Sequence, residues 1–337
     1  MKHLSLILIF SFSISLTFSQ EKATPKKGEG IHTLLKRYNR TEAKHYNEFI
    51  QLNKSKLGKS NSLILGTDYI LPPLISSSQP KNETTNKKIK TGTNPLFGEK
   101  YMNYEIKDDL LSGACFYLVS GHGGPDPGAI ANVDGHELHE VEYAYDIVLR
   151  LARNLLEHNA TVHIIIQDPK NGIRDGKYLS NSKNKTCMGK PIPLSQVARL
   201  KQQTDAINNL NFRSKAHYQR AIFIHLDSRS EKTKLDVFFY YQDDKNNKDK
   251  SFRLAETMRK TFRDLYQKHQ PGRGFSGTVS PRPLYVLKNT TPVSVFVELA
   301  NMQNESDQRR YIFDYNRQAL ANWLCAGFIK DFQSSSR

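Results

Sequence analysis

The sequence predicts an α/β protein: a three-layer domain with a central, mostly parallel sheet flanked by helices, preceded by a small α+β module. Three observations predict it. From residue 103 onward, apolar stretches of strand length alternate with longer stretches of helical spacing, the pattern of helices laid on both faces of one sheet. A polar segment rich in Ser, Lys, Asn and Thr (75–102) separates that pattern from a short helical region before it. The chain also has 337 residues, enough to bury one large core and carry a smaller module beside it.

Residues 1–19 read as a secretory signal. Lys2 and His3 lead an apolar run, and Thr17 and Ser19 are small enough for cleavage before Gln20. The run is short for a membrane span and no second one follows. The chain is therefore expected to be exported, to the periplasm or the extracellular wall, without stable membrane insertion after signal cleavage. Residues 21–28 form a lysine-rich arm, 30–38 and 44–52 have helical spacing, and 63–72 enters a strand through a turn. These make a module over 28–74.

In the larger domain (103–333), strands are expected at 115–119, 161–167, 220–226, 235–241, 284–287 and 293–299. Helices are expected at 141–157, 194–210, 252–269 and 307–332. Residues 168–193 are polar and without periodicity. A loop of that length is usually functional or disordered, and its position suggests a lid or regulatory segment.

The formal net charge of +16 points to a polyanionic surrounding: nucleic acid, an anionic membrane or a carboxylate-rich wall. Export makes nucleic acid the weakest of these, so no nucleic-acid partner is expected. Solvated lysine-rich loops (87–90, 244–250) are the plain alternative. Of the three cysteines, Cys115, Cys187 and Cys325, none forms a C-x-x-C pair, which excludes a cysteine zinc knot. One disulfide or buried free thiols both remain open.

The chemistry gathers at strand ends. Residues 115–119 break into Ser120-Gly121-His122-Gly123-Gly124-Pro125-Asp126-Pro127-Gly128-Ala129. Glycines beside His122 let a ligand, an ion or a second backbone approach closely. His225 ends the run 221–227 and Glu298 ends 295–299, again at the C-terminal ends of apolar strands, where open α/β sheets place their chemistry. Burying these groups separately is costly, so a shared polar site or a metal is expected. Zinc takes three His or carboxylate ligands and a water. The third ligand is sought in His136-Glu137-Leu138-His139-Glu140-Val141-Glu142, which is not an H-E-x-x-H motif because its histidines are three apart. Glu140 continues the apolar stripe Ala144, Ile147, Val148, Leu151, Leu155 and faces inward. Glu142 aligns with Asp146, Arg150 and Arg153 on the polar face and is the reserve.

Together, the His122 loop, Glu140, Phe223-Ile224-His225-Leu226-Asp227 and Val297-Glu298-Leu299 resemble, in order and spacing, the zinc-dependent N-acetylmuramoyl-L-alanine amidases of bacterial cell-wall turnover, over residues 117–332. The resemblance implies zinc on His122, Glu140 and His225, with Glu298 as the catalytic carboxylate. It further implies peptidoglycan as substrate, cleaved at the amide between N-acetylmuramic acid and L-alanine, and it admits a protein activator. The segment 28–74, with two helices, Asn53 and the run from Leu63 to Pro72, resembles a LysM wall-binding module; a helical appendage without a ligand is the alternative.

The sequence departs from the family pattern at several places. Phe223 stands where a serine is usual, Leu226 where a small residue is, and Gln203 where an arginine precedes an Ala-Asn pair, here Ile207-Asn208. Gln167-Asp168 stands where an Arg-Asp pair is typical. Two rival readings follow. One is an autoinhibited or catalytically weak peptidoglycan-binding protein that keeps the zinc fold. The other is a different zinc hydrolase on that fold.

Overall fold

A computed structural model describes residues 21–26, 28–40, 43–58, 61–74, 90–244 and 246–335. The expected signal (1–19) lies outside them, as does the part of the expected linker from 75 to 89. The chain divides into two compact units, 1–86 and 87–337.

In the first unit the order is β1 (Lys22–Ala23), α1 (Ile31–Arg37), α2 (Ala43–Asn53) and β2 (Tyr69–Ile70), with β1 and β2 antiparallel. The lysine-rich arm thus supplies the first strand, because Ala23 joins Leu34, Leu35, Phe49, Tyr69 and Leu71 in a small core. Asn53 ties helix to strand. Its side-chain amide donates to the carbonyls of Phe49 (2.9 Å) and Ile70 (2.8 Å), and its oxygen accepts from the Ile70 amide (2.8 Å).

The second unit opens with a hairpin, β3 (Thr91–Thr93) and β4 (Asn103–Glu105), followed by β5 (Ala114–Ser120), β6 (Ile130–Val133), β7 (His136–His139) and α3 (Glu140–Glu157). Next come β8 (Thr161–Ile164), β9 (Ile166–Gln167), β10 (Thr186–Cys187), β11 (Lys190–Pro191), α4 (Gln196–Arg213) and β12 (Tyr218–Asp227). The remainder is β13 (Phe238–Tyr241), α5 (Lys248–His269), β14 (Thr278–Pro281), α6 (Tyr285–Lys288), β15 (Val293–Asn301), α7 (Glu305–Ile312) and α8 (Asp314–Ser335).

Six strands form the central sheet in the order β14-β13-β15-β12-β5-β8. Every pairing is parallel except β13 with β15. Strands β5, β12 and β15 are buried along nearly their whole length, because both faces are covered. One face packs residues of α3, α5 and α8 and the other packs α4 and α6, giving the three layers the alternation predicts.

Several elements differ from expectation, each for a local reason. The run 161–167 divides between two sheets. β8 pairs with β5, while β9 turns away to pair with β10. Residues 284–287 are helical rather than a strand; a four-residue apolar run carries no period that could separate the two. The strand expected at 235–241 begins only at Phe238, since the Leu235 amide is taken by the Asp307 carboxylate at 2.6 Å. The closing helix 307–332 is two helices, broken at the extended residue Phe313 (φ −84°, ψ 134°). Arg317, fully buried, donates to the freed carbonyls of Tyr311 (2.9 Å) and Ile312 (2.5 Å) at that break. The end of the expected linker is ordered as well, with Phe97 buried in the main core. All three cysteines are buried free thiols.

The segment 168–193 is not structureless. β9, β10 and β11 form a small antiparallel sheet, and the segment is clamped to α3 by charge. Glu142, expected on a polar face, is 0% exposed. It pairs with the Lys185 ammonium, itself buried, and with Arg174 at 2.8 Å, and it accepts the Ser182 amide at 2.9 Å. The rest of that face is covered too: Asp146 binds Arg150 (2.8 Å), Arg317 (2.6 Å) and the Arg174 amide (2.7 Å). The helical period places these residues on one side correctly, but the segment supplies a second buried interface there.

Candidate metal centre and catalytic cleft

Because β5, β12 and β15 are adjacent and parallel, their C-terminal ends meet at one edge. Register sets Ile224 opposite Ser120 and His225 opposite Glu298. His122 lies two residues beyond β5, and Glu140 begins α3. The structure brings His122, Glu140 and His225 together, one donor atom of each lying within 4.8 Å of the others.

Glu140 is the hub. Its Oε2 is 3.0 Å from His122 Nε2, and its Oε1 is 2.9 Å from His225 Nδ1. The backbone amides of Ala129 (2.9 Å) and Leu226 (3.1 Å) donate to the same carboxylate. Burial raises the Glu140 pKa, but the two imidazoles outweigh it and hold the group well below the usual carboxylate range. Burial also works against charge on His122, yet Asp126 and Glu140 push that imidazole up to about 10. His225 is lowered, chiefly by burial. Two histidines and one carboxylate with donor atoms within 4.8 Å of one another are a donor set zinc accepts once the imidazoles are neutral. The residues present therefore fit that ion.

The loop geometry is tightly constrained. His122 adopts φ 64°, a left-handed conformation uncommon outside glycine, and the Gly121 amide is tied to the Ile224 carbonyl at 2.8 Å. A methyl group on Gly121 would sit 2.1 Å from His225 Cε1, so the ring occupies the space a side chain would fill. Gly121→Ala should accordingly weaken metal binding at this cluster by about tenfold or more, since misplaced ligands cost affinity on that scale. Competition with a colorimetric chelator would check this, and wild-type affinity in the variant would refute it.

Beyond the trio, Asp126 accepts from His122 Nδ1 (3.0 Å) and from Arg199 (2.7 Å). Phe296 stacks on His225 with ring centroids 4.2 Å apart. Glu298 is 9% exposed, and its Oε2 has no hydrogen-bond partner among the described residues. Burial pushes its carboxyl well up, and the charges of Glu140 and Asp227 push it further. A cleft of about 270 Å³ opens onto these groups, lined also by Gln203 and Arg199 of α4, by Phe223, and by Arg282.

Glu142 does not join the trio; its carboxylate is committed to Lys185 and Arg174. Nor does 168–193 line the cleft. Instead Ile192 packs behind the His122 loop, close to where side chains on Gly123 and Gly124 would stand. Asp126 carried a signal in the sequence, four residues after His122 in a glycine-proline loop. Arg199 and Arg282 carried none.

The profile of the N-acetylmuramoyl-L-alanine amidase family matches residues 117–330, which is more than half of the chain and includes the whole cluster. The chain belongs to that family. Its second unit is thus a peptidoglycan amidase domain. Among solved structures, the amidase AmiC2 of Nostoc punctiforme is 19% identical over 66% of this chain and 99% of its own, with a TM-score of 0.47. An amidase from Clostridium difficile 630 is 18% identical over 66% of this chain and 99% of its own, at 0.48. Cwp6 from Clostridium difficile is 18% identical over 64% of this chain, at 0.46, and the match spans 29% of its length. No curated protein sequence matches the chain.

Proposed function

We propose that this amidase hydrolyses the amide between the lactyl group of N-acetylmuramic acid and L-alanine of the stem peptide, with zinc on His122, Glu140 and His225. The observation that carries the reading is the buried Glu140 carboxylate held between two imidazoles, with an unpartnered Glu298 oxygen on the adjoining strand. When bound, zinc supplies Lewis acidity toward a water and toward the scissile carbonyl. Glu298 accepts the proton of the attacking water and passes it to the alanine nitrogen as the C–N bond breaks. Asp126 fixes the ring of His122 from behind, Arg199 fixes Asp126, and Phe296 sets the plane of His225. The free Glu298 oxygen favours an enzyme over a wall-binding scaffold, which has no use for it.

The first unit is proposed to hold the protein on its polymer as a LysM module. Its β-α-α-β order with paired outer strands supports that reading. Export by the signal at 1–19 puts the enzyme with its substrate, and no described helix is long and apolar enough to cross a membrane.

Purified sacculi provide the test. The protein should release stem peptides bearing a free N-terminal alanine. A chelator should abolish release, and one equivalent of zinc per chain should restore it. Release that survives complete metal removal, or products cut at the sugars, would overturn the proposal.

A further inference from the structure

The catalytic cleft holds two arginines in different states. Arg199 is spent: it binds Asp126 and the carbonyls of Pro193 and Leu194. Arg282 is exposed and forms no ion pair among the described residues, although it lines the same cleft. Its guanidinium lies 4.8 Å from the Tyr240 ring centroid, a cation–π contact that holds it beside that ring. The backbone there is stiff, since Pro281 and Pro283 flank it and the Arg282 carbonyl accepts the Leu284 amide at 2.8 Å. A pre-set cation beside a cleft is a receptor for an anion of the substrate, and the cleft's own carboxylates do not fill that role. Asp126 is bound by His122 and Arg199, and Glu298, although the charge of Arg282 acts on it through space, makes no ion pair with it among the described residues.

Register gives the spacing. Tyr240 pairs with Phe296, two residues before Glu298 on β15. Two strand residues span about 7 Å. A peptide lying extended along that floor, with its first amide at Glu298, brings the carboxylate of its second residue level with Tyr240 and Arg282.

Resting on the amidase reading above, we propose that Arg282 determines specificity by binding a free carboxylate on the second residue of the stem peptide. The enzyme then prefers stems carrying that carboxylate over stems in which it is amidated.

The test compares muropeptides differing only in that group, acid against amide, with wild type, Arg282→Gln and Arg282→Lys. Wild type should favour the acid by about tenfold in kcat/KM, the scale of one charge-assisted contact. Arg282→Gln should erase the preference through a raised KM for the acid, and Arg282→Lys should restore part of it. Equal kinetics of wild type on the two substrates, or an Arg282→Gln loss shared equally by both, would overturn the proposal. Binding of the acid and amide stem peptides to full-length Glu298→Gln protein, measured by calorimetry, is independent of turnover. If wild type hydrolyses neither substrate, the amidase reading fails, and the acid-to-amide affinity ratio still decides the role of Arg282.

Discussion

Glu298→Gln should lower amide hydrolysis by about 10²–10⁴-fold, the usual contribution of a positioned proton-transfer group. Glutamine keeps the shape of the side chain and removes its capacity to carry a proton. The trio that could hold a metal has its own anchors in Asp126 and the amides of Ala129 and Leu226, so metal content should match wild type. A variant that lost bound metal together with activity would assign Glu298 to holding the metal instead. The same substitution has a second readout in the metal-free protein. The folded carboxyl has a pKa raised above its unfolded value, so its contribution to stability is fully present at acid pH and is lost as pH rises through the folded pKa. Replacing it with a group that never ionises should therefore raise Tm at pH 7 and leave it nearly unchanged at pH 4. Equal shifts at both values would show that the effect is packing.

Glu142→Ala should destabilise the second unit by about 3–5 kcal/mol, because it leaves a buried ammonium without its main counter-ion. Lys185 is buried, and its remaining carboxylate, Asp168, is 3.8 Å away. Burial already lowers the Lys185 pKa against the pull of Glu142, so removing that pull lets the lysine neutralise and segment 168–193 loosen. Ile192 would then no longer brace Gly123 and Gly124, and the metal affinity of the His122–Glu140–His225 cluster should fall although none of its three residues has changed. Denaturant titration measures the first effect and chelator competition the second. The double variant Glu142→Leu/Lys185→Met should recover much of the loss, since it buries no lone charge. A single variant as stable as wild type would mean that the seam is open to water.

Most of what positions the site was legible in the sequence. The apolar runs ending in His122, His225 and Glu298 imply like ends of parallel strands, and the stripe from Glu140 to Leu155 turns Glu140 inward. What stayed hidden depends on contacts between segments far apart in the chain. Glu142, Asp146 and Arg150 have the spacing of a solvent-facing row, and only the covering segment shows that they are buried. Lys185 and Arg174 sit in a stretch without periodicity, so nothing local announces that they are its anchors. Arg282 belongs to a loop whose role follows from the register of two strands distant in sequence. A tripeptide of that kind carries no periodic signal.

The hairpin of β3 and β4 bears on how such proteins are assembled from parts. Phe97, between its strands, is wholly enclosed in the main core, and Gly172 lies so close to the Phe97 carbonyl that a side chain there would collide with it. A gene fusion joined at residue 103 would inherit a hole the size of a phenyl ring, at a cost of about 3–5 kcal/mol. The workable joint lies ahead of Thr91. Exchange of the leading unit for a different module is therefore open to recombination only on that side of the hairpin.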